Sequence, residues 1–124
     1  MSDIPTSDIV YSFLNRLSKS IGAGSFSIMI LAAIKKRGKA YGYEIMKDIG
    51  EISGKKIELK ESTLYPILRS LDEQGFLGSF WEDSQEGPRR RYYIITDKGA
   101  EALELGFKIW TNFNSAIKRL EEVI

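Results

Sequence analysis

The stretch STLYPILRSLDEQG, residues 62–75, sets Leu64, Ile67, Leu68 and Leu71 at i, i+3, i+4 and i+7, the spacing of one face of an α-helix. Proline is tolerated in the first turn, where amides lack intrahelical partners. Pro66 therefore predicts a helix that starts close before it, capped by Thr63 or Ser62 and ended at Gly75. Beyond Gly75 the period changes. Phe76 to Trp81 is aromatic-rich, Asp83 to Pro88 is a polar turn, and Arg91 to Ile95 is β-branched and aromatic, which together read as a β-hairpin.

Upstream, Val10, Phe13, Leu14, Leu17 and Ile21 fall at helical spacing after a start at Pro5, Thr6 and Ser7, until Gly22-Ala23-Gly24. This predicts a first helix over 7–20. Ser25 is placed to cap a second, over 26–37, whose Ile28 to Ile34 run is apolar on every side and therefore central. Tyr41 leads into Ile45, Met46, Ile49 and Ile52, an amphipathic helix ended near Gly54. Thr96 or Asp97 caps a last helix to about Val123, roughly 40 Å long at the usual rise.

Three compact helices followed by a hairpin is the order of a winged helix-turn-helix with residues 62–75 as its recognition helix. The expected class is mainly α with a β-hairpin. The expected organisation is an N-terminal helix acting as a dimer clasp (1–24), a winged helix-turn-helix DNA-binding domain (25–96) and a C-terminal dimerisation helix (97–124).

The chain has 124 residues, 18 Lys+Arg against 17 Asp+Glu, and no His or Cys. That length buries a core without metals or disulfides. Absent His and Cys remove zinc fingers, Cys and His nucleophiles, Ser-His-Asp triads and C-x-x-C redox chemistry. No carboxylate pair or candidate base stands at a spacing that points to an enzyme, and no cofactor is expected. The longest apolar run, Ile28 to Ile34, is seven residues against the ~20 of a spanning helix. Met1 to Thr6 lacks the order of a secretory signal. A cytoplasmic protein without membrane contact is expected. A formal charge of +1 argues for no polyanion by itself, so local charge decides.

With the leucine stripe inward, the start of the recognition helix shows Ser62, Thr63, Tyr65, Pro66 and Arg69 outward, short hydroxyls and an arginine suited to a groove. The bland alternative is a capped surface helix. At the hairpin, Glu82, Asp83 and Glu86 precede Gly87-Pro88-Arg89-Arg90-Arg91. A basic wing tip neutralises phosphate, although a charged edge strand also guards against aggregation. Strand alternation sends Arg90 and its two neighbours to opposite faces. Lys35, Lys36 and Arg37 read as helix-end cations offsetting the dipole, leaving Lys39 and Tyr41 as backbone contacts. An apolar wing or recognition face would instead mark a winged helix used as a protein-protein interaction module without DNA binding.

The runs YGYEIMKDI (41–49), STLYPILRSLDEQGFL (62–77) and GPRRRYYIITDKG (87–99) resemble PadR-family transcriptional regulators, and in particular the small multidrug-sensing branch. The resemblance implies a homodimeric winged-helix repressor that binds an inverted repeat and lets go when a small molecule binds. It carries Tyr41, Ser62, Thr63, Tyr65, Pro66, Arg69 and the wing from Gly87 through Arg91 onto DNA-facing positions. The N-terminal helix is a departure, adding length before the motif-bearing core.

Stepping about 100° per residue from Trp110, Leu103, Phe107 and Ile117 lie to one side and Ile109, Phe113, Ala116, Leu120 and Val123 to the other, an apolar arc of about 200°. A partner copy must cover the excess, with Phe13, Leu14 and Leu17 as the clasp. Phe107, Trp110 and Asn114 share a face of this helix. Two facing indoles across a two-fold axis would make a slot for a planar aromatic effector, and the resemblance places ligand between such a tryptophan pair. Asn114, where a carboxylate would favour cations, points to neutral or phenolic ligands.

Overall fold

In the computed structural model, which describes residues 7–124, α1 (Asp8–Arg37), α2 (Gly42–Ile52) and α3 (Glu61–Glu73) precede a hairpin of β1 (Leu77–Ser84) and β2 (Gly87–Ile95). The chain ends in α4 (Asp97–Leu120) and a 3-10 turn, Glu121–Val123. This is the mainly helical winged helix expected from the pattern. Ser7 caps α1, its hydroxyl accepting from the Val10 amide at 3.3 Å; Pro5 and Thr6 lie outside the described residues.

The first two expected helices are one. α1 runs unbroken for 30 residues through Gly22-Ala23-Gly24, so the boundary drawn at residue 24 falls inside a helix. A helical glycine costs only about 1 kcal/mol against alanine, and here the Phe26 ring lies over Gly22. Ser25, expected as a cap, turns its hydroxyl back to donate to the Ile21 carbonyl at 2.8 Å, a bond available only inside a continuous helix. The merged α1 has the length and apolar composition to cross a membrane. Its second half is instead the core helix. Ile30 and Ile34 are wholly buried, among Ile45 and Ile49 of α2, Leu64, Leu68 and Leu71 of α3, Leu77 and Tyr93 of the hairpin, and Leu103 of α4.

Two ties set the angles between these elements. At the end of α1, Arg37 donates to both carboxylate oxygens of Asp48, at 2.6 and 3.1 Å, and to Glu44 at 3.0 Å. It clamps α2 rather than serving the α1 carbonyls. The hydrogen bond from Arg37 holds the Asp48 carboxyl below its ordinary value. Just beyond, Ala40 and Tyr93 exchange both backbone hydrogen bonds, at 3.1 and 2.8 Å, stitching β2 to the link between α1 and α2.

Two boundaries differ from expectation. α3 begins at Glu61 with Lys60 as its N-cap, so Pro66 stands in the helix interior rather than its first turn, and neither Ser62 nor Thr63 is the cap. The carbonyl of Ser62 thereby loses its helical donor, and since both residues are exposed it is left to solvent. The hairpin turn is also tighter: Ser84 pairs with Gly87, placing Pro88 inside β2, and the register slips between Glu82 and Ser84. One residue of β1 there opposes two of β2, a bulge that twists the wing tip.

Gly24 has open space where a Cβ would stand, so Gly24→Ala is expected to stabilise the fold by about 0.5–1 kcal/mol in thermal melting. At Gly99 a Cβ would meet the Phe76 carbonyl oxygen. Gly99→Ala should cost at least about 2 kcal/mol. A destabilised Gly24→Ala would contradict the continuous α1. Because the folded pKa of Asp48 is depressed, its contribution is complete above the ordinary aspartate value and is lost as pH falls through the folded one. Asp48→Asn should therefore flatten the loss of stability on acidification in that window, as read by chemical denaturation at stepped pH.

Candidate nucleic-acid interface

The start of α3 presents Ser62, Tyr65, Pro66 and Arg69 as exposed residues, with Thr63 half-buried and Leu64 and Leu68 inward. Tyr65 leans back on the first residue of α2: a Cβ on the buried Gly42 would collide with its hydroxyl and ring. The glycine is thus what lets the phenol lie flat against α2. Partial burial, helped by the Glu61 carboxylate, raises the Tyr65 pKa.

The three wing arginines occupy three different environments. Arg91 pairs across the hairpin with Trp81, on the face that carries Ser79 and the buried Tyr93. Its guanidinium donates to the Asp72 carboxylate at 3.2 Å and the Ser79 hydroxyl at 2.9 Å. Arg90 lies on the opposite face, its guanidinium carbon 4.5 Å from the centre of the Tyr41 ring, in cation-π range. Arg89 is mostly exposed, its guanidinium carbon 5.6 Å from the centre of the Trp81 ring, and it reaches Asp83 only at 3.7 Å. Gly87, beside the turn, is exposed and has open space around it.

Lys39 donates to both oxygens of Glu82 at 2.9 Å, and this bond raises its pKa. Its ammonium also lies 4.7 Å from the centre of the Tyr92 ring. Tyr41 meets Tyr92 edge-on at 5.4 Å, and its amide donates to Glu44 at 3.3 Å. Between α3 and the wing these groups bound a cleft of about 660 Å³, walled by Tyr41, Tyr65, Trp81 and Tyr93 and carrying Arg69, Arg89, Arg90 and Arg91 against Asp72 and Glu73. Of the residues expected to face DNA, Tyr41, Tyr65, Arg69 and the three arginines share this cleft; Lys39, Ser62, Thr63, Pro66 and Gly87 do not line it. Trp81, Asp72 and Ser79 carry no signal in the sequence. Their contacts span 7 to 19 residues of chain, which no periodicity encodes.

The N-terminal part of α1 and the C-terminal part of α4 carry exposed apolar stripes. Phe13, Leu14 and Leu17 on α1, and Ile109, Phe113, Ile117 and Leu120 on α4, are exposed, Phe113 to 65%. Leu103, expected at a subunit interface, is buried in the chain's own core at 6%. Trp110 is 39% exposed and lines a groove of about 330 Å³ with Phe26, Met29 and Ile57, beside Lys56 and Glu58. Phe107 and Asn114 are exposed on the same helix and do not line that groove.

A family model described as the transcriptional regulator PadR-like family matches residues 30–105. An uncharacterized protein of Lysinibacillus sphaericus is 30% identical over 94 residues, 76% of this chain and 85% of its own. Among solved structures, smu.1704 from Streptococcus mutans is 37% identical, with a TM-score of 0.69 over 81% of this chain and 89% of that one. A PadR-like transcriptional regulator from Bacillus cereus is 28% identical, with a TM-score of 0.68 over 82% and 95%. A PadR family regulator from Eggerthella lenta, at 24% identity a likeness of fold alone, has a TM-score of 0.79 over 95% and 100%.

The Gly42–Tyr65 packing has a measurable signature. Gly42→Ala alone should lower stability by about 1–3 kcal/mol in denaturant unfolding, and most of that deficit should be recovered when Tyr65→Ala is added, since removing the ring makes room for the methyl. Additive effects would mean that the two residues do not touch.

Proposed function

The chain belongs to the transcriptional regulator PadR-like family, and on that premise we propose that it is a homodimeric repressor that binds an inverted-repeat operator in double-stranded DNA and releases it on binding a small planar effector. The observation that carries the DNA reading is the arginine-bearing cleft between α3 and the wing. The start of α3 enters the major groove, with Thr63, Tyr65 and Arg69 toward base edges and Ser62 and Pro66 beside them. Arg89 and Arg90, with Gly87, Lys39 and Tyr41 around them, meet the flanking phosphates. Four arginines among the aromatic walls of the cleft, with the hydroxyls at the start of α3, favour this reading over a protein-interaction module, whose core would be depleted of charge.

Dimerisation follows from the uncovered arms. Exposed apolar stripes on two helices, at Phe13, Leu14 and Leu17 of α1 and at Ile109, Phe113, Ile117 and Leu120 of α4, are the kind of patch that marks a protein-protein contact, and a second copy related by a two-fold axis covers both at once. The recognition helices of the pair then address two half-sites of a palindrome. The effector reading rests on Trp110, with Phe107 and Asn114 on the same side of α4; a planar neutral or phenolic ligand stacked on the indole would release DNA only by favouring a dimer whose recognition helices are misplaced for successive grooves.

Selection of genomic fragments with the purified chain should recover a palindromic site. Arg89→Ala/Arg90→Ala should weaken all duplexes alike and flatten the log-log salt dependence by about 0.9 for each phosphate no longer neutralised. Arg69→Ala should instead relax base preference, by about 1–3 kcal/mol for each base edge it reads. Failure to enrich any duplex, with capture of a protein through α3, would favour the interaction module. A monomer at micromolar concentration in light-scattering chromatography would overturn the dimer. Trp110 quenching by planar dyes that survives Trp110→Phe would overturn the effector site.

A further inference from the structure

Arg91 belongs to the most basic run of the wing, yet its surroundings are those of a structural joint. Its guanidinium, the Ser79 hydroxyl and the Asp72 carboxylate form a closed triangle: Arg91 to Ser79 at 2.9 Å, Ser79 to Asp72 at 3.0 Å, and Arg91 to Asp72 at 3.2 Å. The three come from β2, β1 and the last turn of α3. The guanidinium carbon also lies 5.8 Å from the centre of the Trp81 ring and 5.7 Å from that of Tyr93. Neither neighbouring arginine has such a setting. Arg90 has an aromatic platform and, among the described residues, no carboxylate in contact; Arg89 shares the Trp81 ring at 5.6 Å, but its only carboxylate pairing among those residues is long and solvent-exposed.

The charges around this joint favour its staying closed on DNA. Asp72 lines the same cleft as the DNA-facing arginines. Were Arg91 to swing out to a phosphate, it would leave a bare carboxylate facing a polyanion, and the gain of one ion pair would be offset by the loss of another together with like-charge repulsion. We infer that Arg91 is a positioning residue: clamped by Asp72 and Ser79, it fixes the angle between the wing and the recognition helix, so that base reading and phosphate binding occur in register. This rests on the DNA-binding reading above and deepens it. Of the wing arginines, it leaves Arg89 and Arg90 as the phosphate ligands.

The test is a binding titration across salt concentrations with the full chain, on the selected operator and on an unrelated duplex. The informative variant is Arg91→Gln/Asp72→Asn, which removes the joint without changing net charge. It should lower operator affinity on the order of tenfold, the scale of one charge-assisted hydrogen bond. Binding to the unrelated duplex and the log-log salt slope should stay at wild-type values, whereas Arg90→Ala should flatten the slope by about 0.9. Ser79→Ala, a small change that spares the fold, should lower operator affinity in the same direction, again without altering the slope, and should add little to the double variant. Thermal melting of each variant separates loss of the joint from loss of the fold. A double variant whose salt slope drops as that of Arg90→Ala does, or a Ser79→Ala variant with wild-type operator affinity, overturns the inference and returns Arg91 to the phosphate-binding set. If the wild-type chain enriches no duplex at all, the DNA-binding reading fails, and this inference fails with it.

Discussion

The paired backbone hydrogen bonds between Ala40 and Tyr93 are the constraint on which the rest of the interface depends. A two-stranded hairpin is marginal alone, and this one is joined by paired backbone bonds to the link between α1 and α2. Ala40 is wholly buried and Tyr93 nearly so, which leaves those bonds shielded from water. Everything functional radiates from that point. Lys39 on one side of Ala40 reaches Glu82 on β1, Tyr41 on the other meets Tyr92, and Tyr41 in turn supports Arg90. The arginines and the first turns of α3 share one cleft because the strand that carries them is anchored two residues before α2 begins.

The electrostatics of that cleft explain how a chain with a formal charge of +1 carries a surface suited to phosphate. The cleft gathers Arg69, Arg89, Arg90 and Arg91 against Asp72 and Glu73, so the local excess of cations comes from sorting charges that nearly cancel over the whole chain. Lys39 is matched by Glu82, Arg91 by Asp72 and, loosely, Arg89 by Asp83, while Arg90 is supported by an aromatic face. Pairs of this kind are worth little to stability when solvent-exposed. Under the DNA-binding reading proposed above, their effect is on recognition, since a surface whose cations are partly compensated has less pull on DNA of arbitrary sequence and leaves more of the discrimination to α3.

What the sequence made legible was whatever lies within one turn or one strand of itself. Leu64, Ile67, Leu68 and Leu71 declared a helix face, the change of period after Gly75 declared the wing, and Thr96 proved to be the cap of α4, its hydroxyl accepting from Gly99 at 3.0 Å. What was not legible depended on packing between distant segments. Gly22-Ala23-Gly24 reads as a break because glycine weakens helices, but the weakening is small beside the burial of Ile30 and Ile34 further along the same helix. Pro66 reads as a first-turn residue because nothing local announces that α3 begins at Glu61 or that its orphaned carbonyl can be left to solvent. The Arg91–Asp72 pairing joins residues 19 apart through a hairpin, and neither residue type differs from an ordinary surface charge.

The unbroken course of α1 has a mechanical meaning. A helix of 30 residues is a rod about 45 Å long, and this one has its exposed apolar part at Phe13 and Leu17 and its buried part in the core with α3 at Ile30 and Ile34. Without a joint at Gly22-Ala23-Gly24 the two ends cannot move independently. A tilt of about 5° about Phe13 and Leu17, carried over the roughly 25 Å of helix to Ile30 and Ile34, amounts to a shift of about 2 Å there. A hinged version of the same sequence would absorb such a tilt at the glycines. The unbroken one couples its two ends, and under the dimer proposed above it ties the spacing of the two α3 helices to the contact made by the exposed arm.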